Sequence, residues 1–496
     1  MSQSTDVGWL TRRVSTGTLW VLFAFVAARG FTFGTNVVLA RLLSPPEFGV
    51  VSFAMVLIAA FTLLQDFGVP QAIVYSERDP AELAGTALTI NAVAAMILVG
   101  LTALVAPTFA AFGNQPVIAP VVVVLSIGML ISSFGSTQSA LLKKQLAFRR
   151  NAVPDLAPPL VAGLVSIALA LNGFGVWSLV YGYVARAVVM TGLLWFVASV
   201  RPWPRLDLEA AVYLLRYGRH VSFSGILGFA MLNVDYAVVG HYLGSTDLGI
   251  YTLAYTIATL QSNAVNQVIT TVAFPAYARL KDDMQAMLRL FMRVFSIAIA
   301  LAVSIALFLF VCTPAYAPVV LGAKWSEIIR PLQVLAIFGV LETIDVVFPS
   351  FMRAIGRPDV VWKLNLLRLA LLVPLMLAVL PAGITGIATV HVAVGLVLAV
   401  TYASTMARLI HISIVTLWRP ALLPILSSAG LGVLVLGSRA LPAVDNALDQ
   451  PLGSALFAFV CLTGYSAILA SRHPYVSSLL QTCRVRIQEA TAAPGA

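Results

Sequence analysis

The residues able to do chemistry are few, and each sits inside an apolar run. Arg29 lies in AARGFTFGTN with Gly30, Gly34 and Asn36 close by, Arg186 in YVARAVVM, Asp66 in LLQDFGVP and Asp235 in LNVDYAVVG. Glu342 and Asp345 share LETIDVV, and His391 stands alone in a long uncharged stretch. A charged side chain at membrane depth costs several kcal/mol unless it is paired or hydrated, so each of these residues has either a function or a partner. A guanidinium is planar, always charged and shaped for a bidentate grip on a phosphate. Arg29 and Arg186, with Asn36, are therefore candidates for holding a phosphate in a cavity, the alternative being ion pairs between neighbouring helices. Glu342 and Asp345 are three apart and share a helical face. Two adjacent carboxylates in a low dielectric are not both ionised without a cation, which points to proton or Na⁺ coupling. Their alternative is pairing with Arg353 or Arg368. Asp66 is followed by Gly68 and Pro70, which loosen a helix and free carbonyls for a cation site or a hinge. It could equally serve as counter-ion to Arg29. Asp235 precedes a second helix break and is the remaining ion-coupling candidate, while His391 is open to a proton relay or to plain packing. Cys312, Cys461 and Cys483 have no metal-ligand or disulfide spacing, and there is no Walker A sequence; no metal, cofactor or ATP chemistry is expected.

The elements that must position these groups are helices in a membrane. Sixty per cent of the 496 residues are hydrophobic and 10% are charged, and the mean hydropathy is +0.95, outside the range of soluble domains. Uncharged runs of about 20 residues, the length that crosses a bilayer, recur along the whole chain, which indicates an all-α polytopic membrane protein. Reading apolar runs against breaks predicts fourteen transmembrane helices, over 17–42, 47–75, 83–110, 116–142, 152–171, 174–199, 213–242, 248–277, 289–313, 327–353, 361–380, 383–408, 420–438 and 452–471. Proline at positions 158, 159, 275, 349 and 374 should kink several of them. The N-terminal MSQSTDVGWLTRR leads into an apolar run without a cleavage pattern, so the first helix is expected to be retained.

Charge orients this array. With the N-terminus cytoplasmic, twenty-four of the thirty Lys and Arg residues fall in cytoplasmic connections, Arg353, Arg357, Lys363 and Arg368 among them. Arg41, Lys324, Arg330 and Arg439 fall outside, and Arg29 and Arg186 stay within the bilayer, in accord with the positive-inside rule. The net charge of +10 then reflects orientation and contact with anionic membrane lipids, not nucleic-acid binding. An internal repeat sets the architecture: Leu39–Ala54 aligns with Val239–Ala254, with Leu43 and Leu243, Gly49 and Gly249, and Ala54 and Ala254 identical, and Glu47 opposite Asp247. Each half holds six helices, an even number, so both start on the same side and the repeats are parallel. The predicted organisation is an N-terminal lobe over 1–199, a cytoplasmic linker over 200–217, a C-terminal lobe over 218–410, two further helices over 411–471 and a cytoplasmic tail over 472–496. Both termini are cytoplasmic. Phe229 stands opposite Arg29 and Asn266 opposite Asp66, so a cavity between such lobes would carry its basic character on the first.

The stretch VVLARLLSPPEFGVVSFAMVLIAAFTLLQDFGVPQAIV resembles the opening of the polysaccharide-transporter (Wzx-like) branch of the multidrug/oligosaccharidyl-lipid/polysaccharide superfamily. SALLKKQLAFRR (139–150), FPAYARL (274–280), LGAKWSEIIRPLQVLA (321–336) and FMRAIGRPDVVWKL (351–364) extend the likeness over nearly the full chain. The resemblance implies two six-helix lobes around a cavity, in the bacterial cytoplasmic membrane. It implies movement of a polyprenyl-diphosphate-linked oligosaccharide to the outer leaflet, in a pathway that also has a polysaccharide polymerase and glycosyltransferases. Arg29 best matches the cavity arginines that such relatives use for the diphosphate. A cation-coupled exporter of small amphipathic compounds is the alternative on the same fold. An enzyme acting on lipid-linked sugars is disfavoured by short, nearly uncharged outer connections.

Overall fold

The computed structural model describes residues 28–145, 148–198 and 200–438. All regular structure among them is helical. Among the described residues eight helices are long and apolar enough to cross a membrane, and two shorter apolar helices, Leu156–Leu171 and Ile414–Ser428, accompany them. The predicted helix at 452–471 and the start of the one at 17–42 lie outside the described residues. Contacts divide the chain into two compact units, one ending at Thr252 and the other beginning at Leu253.

The first unit begins with α1 (28–42) and turns sharply into α2 (Pro45–Asp66). Both the backbone N–H and the hydroxyl of Ser44 donate to Glu47 Oε2, at 2.6 and 2.7 Å, while Pro45 and Pro46 occupy the first turn, where their missing N–H groups are no loss. α2 stops at Phe67 (φ 35°) and Gly68 (φ 70°), two successive left-handed residues, and α3 (Val69–Tyr75) resumes with Pro70 in its first turn. Sequence reading predicts one helix over 47–75; the chain breaks it at the Gly68–Pro70 pair, which withdraws backbone hydrogen bonds. The carbonyl of Phe67 is met by Gly218, where a Cβ would approach it to 1.9 Å. Then follow α4 (Pro80–Phe112), α5 (Ile118–Lys144), α6 (Phe148–Leu171), α7 (Val176–Val197) and α8 (Leu208–Tyr242). Val69, Ala72, Ile73, Leu83, Ala84, Ala87, Ala140, Leu141, Ala210 and Leu214 close a core where α3, α4, α5 and α8 meet.

The polar connection ahead of α8 lies fastened along α4. Arg205 N–H donates to the Gly85 carbonyl at 3.4 Å, Thr89 Oγ1 to the Arg205 carbonyl at 3.1 Å and Asp207 N–H to Thr86 Oγ1 at 3.2 Å. Asp207 then caps α8 by accepting from the N–H groups of Glu209 and Ala210.

The two copies of the sequence repeat touch one another. α9 (Ser245–Ala258) starts as α2 does, and a Cβ on Gly49 would fall 1.7 Å from the Ser245 carbonyl oxygen, one on Gly249 1.9 Å from that of Pro45. The identical glycines therefore mark a backbone-to-backbone crossing of two equivalent helix starts.

In the second unit, the predicted helix over 248–277 is divided into α9, α10 (Leu260–Val268), a π turn (Ile269–Ala273) and α11 (Phe274–Arg279). Only Pro275 announces any of these breaks in sequence. α12 (Met284–Val320) runs 37 residues, about 55 Å at 1.5 Å per residue. It absorbs Pro314 and Pro318 where sequence reading predicts a connection from Pro314 to Ser326. α13 (Ile329–Ala354), α14 (Pro358–Ala378), α15 (Gly383–Leu409) and α16 (Ile414–Ser438) complete it. α13 is the enclosed helix: 67% of its apolar window is buried, against 50% for α15 and 33% for α12 and α14. Phe291 and Phe295 of α12 pack edge-on to Phe348 of α13, with ring centroids 5.2 Å apart in both pairs.

Candidate functional site

The enclosed helix of the second unit carries the carboxylates. Glu342 and Asp345, one turn apart on α13, face Arg368 from the middle of α14 and His391 and Tyr402 from α15, around a cavity also lined by Phe338, Leu341 and Leu372. The space admits about one water molecule, near 10 Å³. Gly395 brings α15 close, since a Cβ there would touch Leu341 at 3.1 Å. Arg368 pairs with Asp345 through Nη1 and Oδ2, with only 10% and 18% of the two side chains exposed. The cation predicted as an alternative partner for the carboxylates is therefore in place. Its predicted position in a cytoplasmic connection is corrected: Arg368 lies ten residues past Pro358, about 15 Å into the helix. His391 is 2% exposed and packs against Phe338 at 4.8 Å and edge-on to Tyr255 at 5.8 Å.

Glu342 is held from a fourth element. Ser262 of α10 donates to Glu342 Oε2 at 2.6 Å, and the same hydroxyl lies 2.9 Å from the Thr259 carbonyl, at the break between α9 and α10. The neighbouring Gln261 is 2% exposed, and neither of its amide atoms has a hydrogen-bond partner among the described residues. Gly339 of α13 admits this amide, for a Cβ there would meet Gln261 Nε2 at 2.1 Å. Sequence reading missed Ser262 and Gln261. SNAV and LQSN carry no charge, and no local pattern places them beside a residue eighty positions on.

The other predicted site residues belong to the first unit and are not gathered into one pocket. Arg29 and Asn36 lie on α1, exposed and half-buried, and Arg186 is exposed on α7. Asp66 is half-buried at the end of α2, and the charge acting on it is that of Lys143 on α5. Asp235, an ion-coupling candidate from the sequence, is 2% exposed. It accepts from Tyr251 Oη at 2.8 Å and from the N–H of Tyr236 at 2.9 Å, beside the Gly49–Gly249 crossing.

A family model described as "Polysaccharide biosynthesis protein" matches residues 38–330, more than half of the chain. The chain belongs to this family. Proteins similar to it include the lipopolysaccharide biosynthesis protein WzxC of Escherichia coli (strain K12), 26% identical over 96% of this chain and 97% of WzxC. The succinoglycan biosynthesis transport protein ExoT of Rhizobium meliloti (strain 1021) is 24% identical over 74% of each chain. Among solved structures, the lipid II flippase MurJ in its inward closed conformation superposes with a TM-score of 0.75 at 12% identity, covering 91% of this chain and 99% of MurJ. An inward-facing MATE-family transporter of the MOP superfamily gives 0.62 at 16% identity, covering 79% of this chain and 95% of that one. The polysaccharide biosynthesis family and the MurJ- and MATE-like fold agree with the resemblance drawn from the sequence.

Proposed function

We propose that this protein is a flippase that carries a polyprenyl-diphosphate-linked oligosaccharide, a precursor of a cell-surface or exopolysaccharide, from the inner to the outer leaflet of the bacterial inner membrane. The observation that carries the reading is likeness to WzxC from end to end, joined to a fold superposing on 99% of a lipid II flippase. Transport, not catalysis, is the activity. The lobes over 1–199 and 218–410, fourteen helices and cytoplasmic termini complete the arrangement, and the polymerase and glycosyltransferases of the same pathway would act before and after it. Exchange of the cavity's access between the two sides would move the sugar through water while the prenyl chain stays in lipid.

In this reading Arg29 and Arg186, with Asn36, meet the diphosphate. Both guanidiniums are exposed on helix surfaces, where a ligand can reach them, and a fork of donors grips phosphate oxygens in pairs. Asp66, Asp235, Glu342 and Asp345 are the groups through which an ion gradient would drive the cycle. Arg29→Ala should abolish surface glycan while the protein accumulates normally, and Arg29→Lys should restore it only in part, because an ammonium keeps the charge and loses the fork. Glycan at the wild-type level in Arg29→Ala would remove Arg29 from the substrate path.

A further inference from the structure

We propose that the exposed face of α10 is a carbohydrate site, where the neutral amides of Asn263, Asn266 and Gln267 hydrogen-bond hydroxyl groups of the substrate's glycan. This rests on the flippase reading and names the part of the chain that holds the sugar.

The internal repeat singles these residues out. At the offset that pairs Gly49 with Gly249, Asn263 stands where the first copy has Leu63, Gln267 where it has Phe67, and Asn266 where it has Asp66. The first copy, α2, is one of the apolar helices long enough to cross a membrane. An element of this kind therefore does not need amides at these positions to fold. From Leu253 to Ala278 the second copy carries no charged residue, so its polarity is entirely that of amides and hydroxyls.

Those groups share a side. Asn263, Asn266, Gln267 and Thr270 follow the i, i+3, i+4, i+7 spacing of one helix face. Asn263, Asn266 and Thr270 are exposed and Gln267 is half-buried, whereas Gln261, Ser262, Val265 and Ile269 on the other side are buried. Such amphipathicity is ordinary on a water-soluble protein and out of place against lipid tails. Asn263 lies 18 residues along the chain from Ser245 and 16 from Arg279, about 27 and 24 Å of helix, where the hydrocarbon core is about 30 Å thick. Polar groups at that depth need a polar partner. The open face must meet water or a ligand equally rich in hydroxyls.

The chemistry selects the ligand. Asn263 Nδ2 donates to the Thr259 carbonyl at 2.9 Å and keeps its side-chain oxygen as an acceptor. Asn266 and Gln267 give their backbone carbonyls to the Thr270 and Thr271 hydroxyls, at 2.9 and 2.6 Å, and their amides point to other uses. Each amide combines donors with an acceptor, which matches a hydroxyl that both gives and takes a hydrogen bond. A phosphate or a cation would find no opposite charge on this segment. The face runs straight into the π turn Ile269–Ala273, a rare distortion found chiefly at functional sites.

The test uses full-length protein in lipid nanodiscs, its three cysteines replaced by alanine and a single one introduced by Asn263→Cys, by Thr270→Cys or, on the exposed apolar flank of α15, by Leu396→Cys. A membrane-impermeant thiol reagent should label the first two at least about ten times faster than the third, because a thiolate forms where water reaches it. Lipid-linked oligosaccharide extracted from the host's membranes should slow that labelling severalfold, and polyprenyl diphosphate without sugar should leave it unchanged. Asn263→Leu with Gln267→Phe, the residues of the first copy, should weaken binding of the glycan-bearing lipid by about three- to tenfold, the worth of one or two hydrogen bonds, and spare that of polyprenyl diphosphate. Asn266→Leu should act in the same direction if the double variant folds poorly. Labelling as slow as at Leu396→Cys, protection by neither lipid, as expected of a face that holds water only, or equal protection by both would overturn the proposal. Protein that is protected by the glycan-bearing lipid yet never moves it between leaflets would instead count against the flippase reading.

Discussion

Removing the cation from the buried cluster should be worse than removing its partner. Arg368→Met strands two carboxylates on the enclosed helix and should lower stability by about 3–5 kcal/mol, the usual penalty for an orphaned buried charge. Asp345→Asn leaves Glu342 beside Arg368 and should cost less, so thermal unfolding in detergent ought to rank Arg368→Met below Asp345→Asn. The reverse order would mean that Glu342 gives Arg368 no support. Tyr251→Phe should cost about 1–3 kcal/mol, because Asp235 loses a donor at a site where water has little access. How far such sites could be read in the sequence depended on the kind of residue. Carboxylates in apolar runs stand out by their desolvation cost, so Glu342, Asp345 and Asp235 were legible. Arg368 was legible as a possible partner of these carboxylates but not in its depth, because a charge near a connection looks marginal until the helix start at Pro358 is fixed. Lys143, which acts on Asp66, lies 77 positions away in SALLKKQLAFRR, and no local pattern ties the two together.

At the scale of elements, the tightest constraint is the crossing of α2 and α9. Gly49→Ala would put a methyl carbon against the Ser245 carbonyl, and Gly249→Ala one against that of Pro45. Backbone cannot step aside as a flexible side chain does, so each should lower stability by about 1–3 kcal/mol. Gly100→Ala on α4, where nothing lies within 4 Å of a new Cβ, should instead be neutral or stabilising by about 0.5–1 kcal/mol. Membrane abundance and unfolding temperature of the three variants check this, and equal behaviour of Gly49→Ala and Gly100→Ala would deny the close crossing. The repeat was legible because identical glycines and paired acidic residues recur at a fixed offset, and the break after Asp66 because Gly68 and Pro70 announce it. The interruption at Thr259 had no such mark, for LAYTIATLQSNAV contains neither Gly nor Pro. The run of α12 through Pro314 and Pro318 was misread for the opposite reason: proline predicts an end, yet neighbouring helices in a bundle can hold a kinked helix together.

For the whole molecule, the charge asymmetry sets an expectation that surface labelling or reporter fusions can check: positions 78, 205 and 357 on the cytoplasmic face, 114 and 245 on the outer face. Two reversed positions would break the fourteen-helix arrangement. Polar composition marks 200–217 as the divide in the sequence, whereas contacts divide the structure at Thr252. The difference has a physical source. The connection is hydrogen-bonded along α4, and the start of the second repeat is drawn onto the first by the Gly49–Gly249 crossing. Flipping itself is the claim to measure most directly. Purified protein would be reconstituted into vesicles loaded on one leaflet with a polyprenyl-diphosphate oligosaccharide, and the sugar's exposure to an added, membrane-impermeant glycosidase followed with time. Cleavage of the protected pool that requires the protein and slows sharply in Arg29→Ala is the expected result. A pool that stays protected, in vesicles where the same protein expels a small amphipathic cation, would contradict the flippase and assign the fold to drug export.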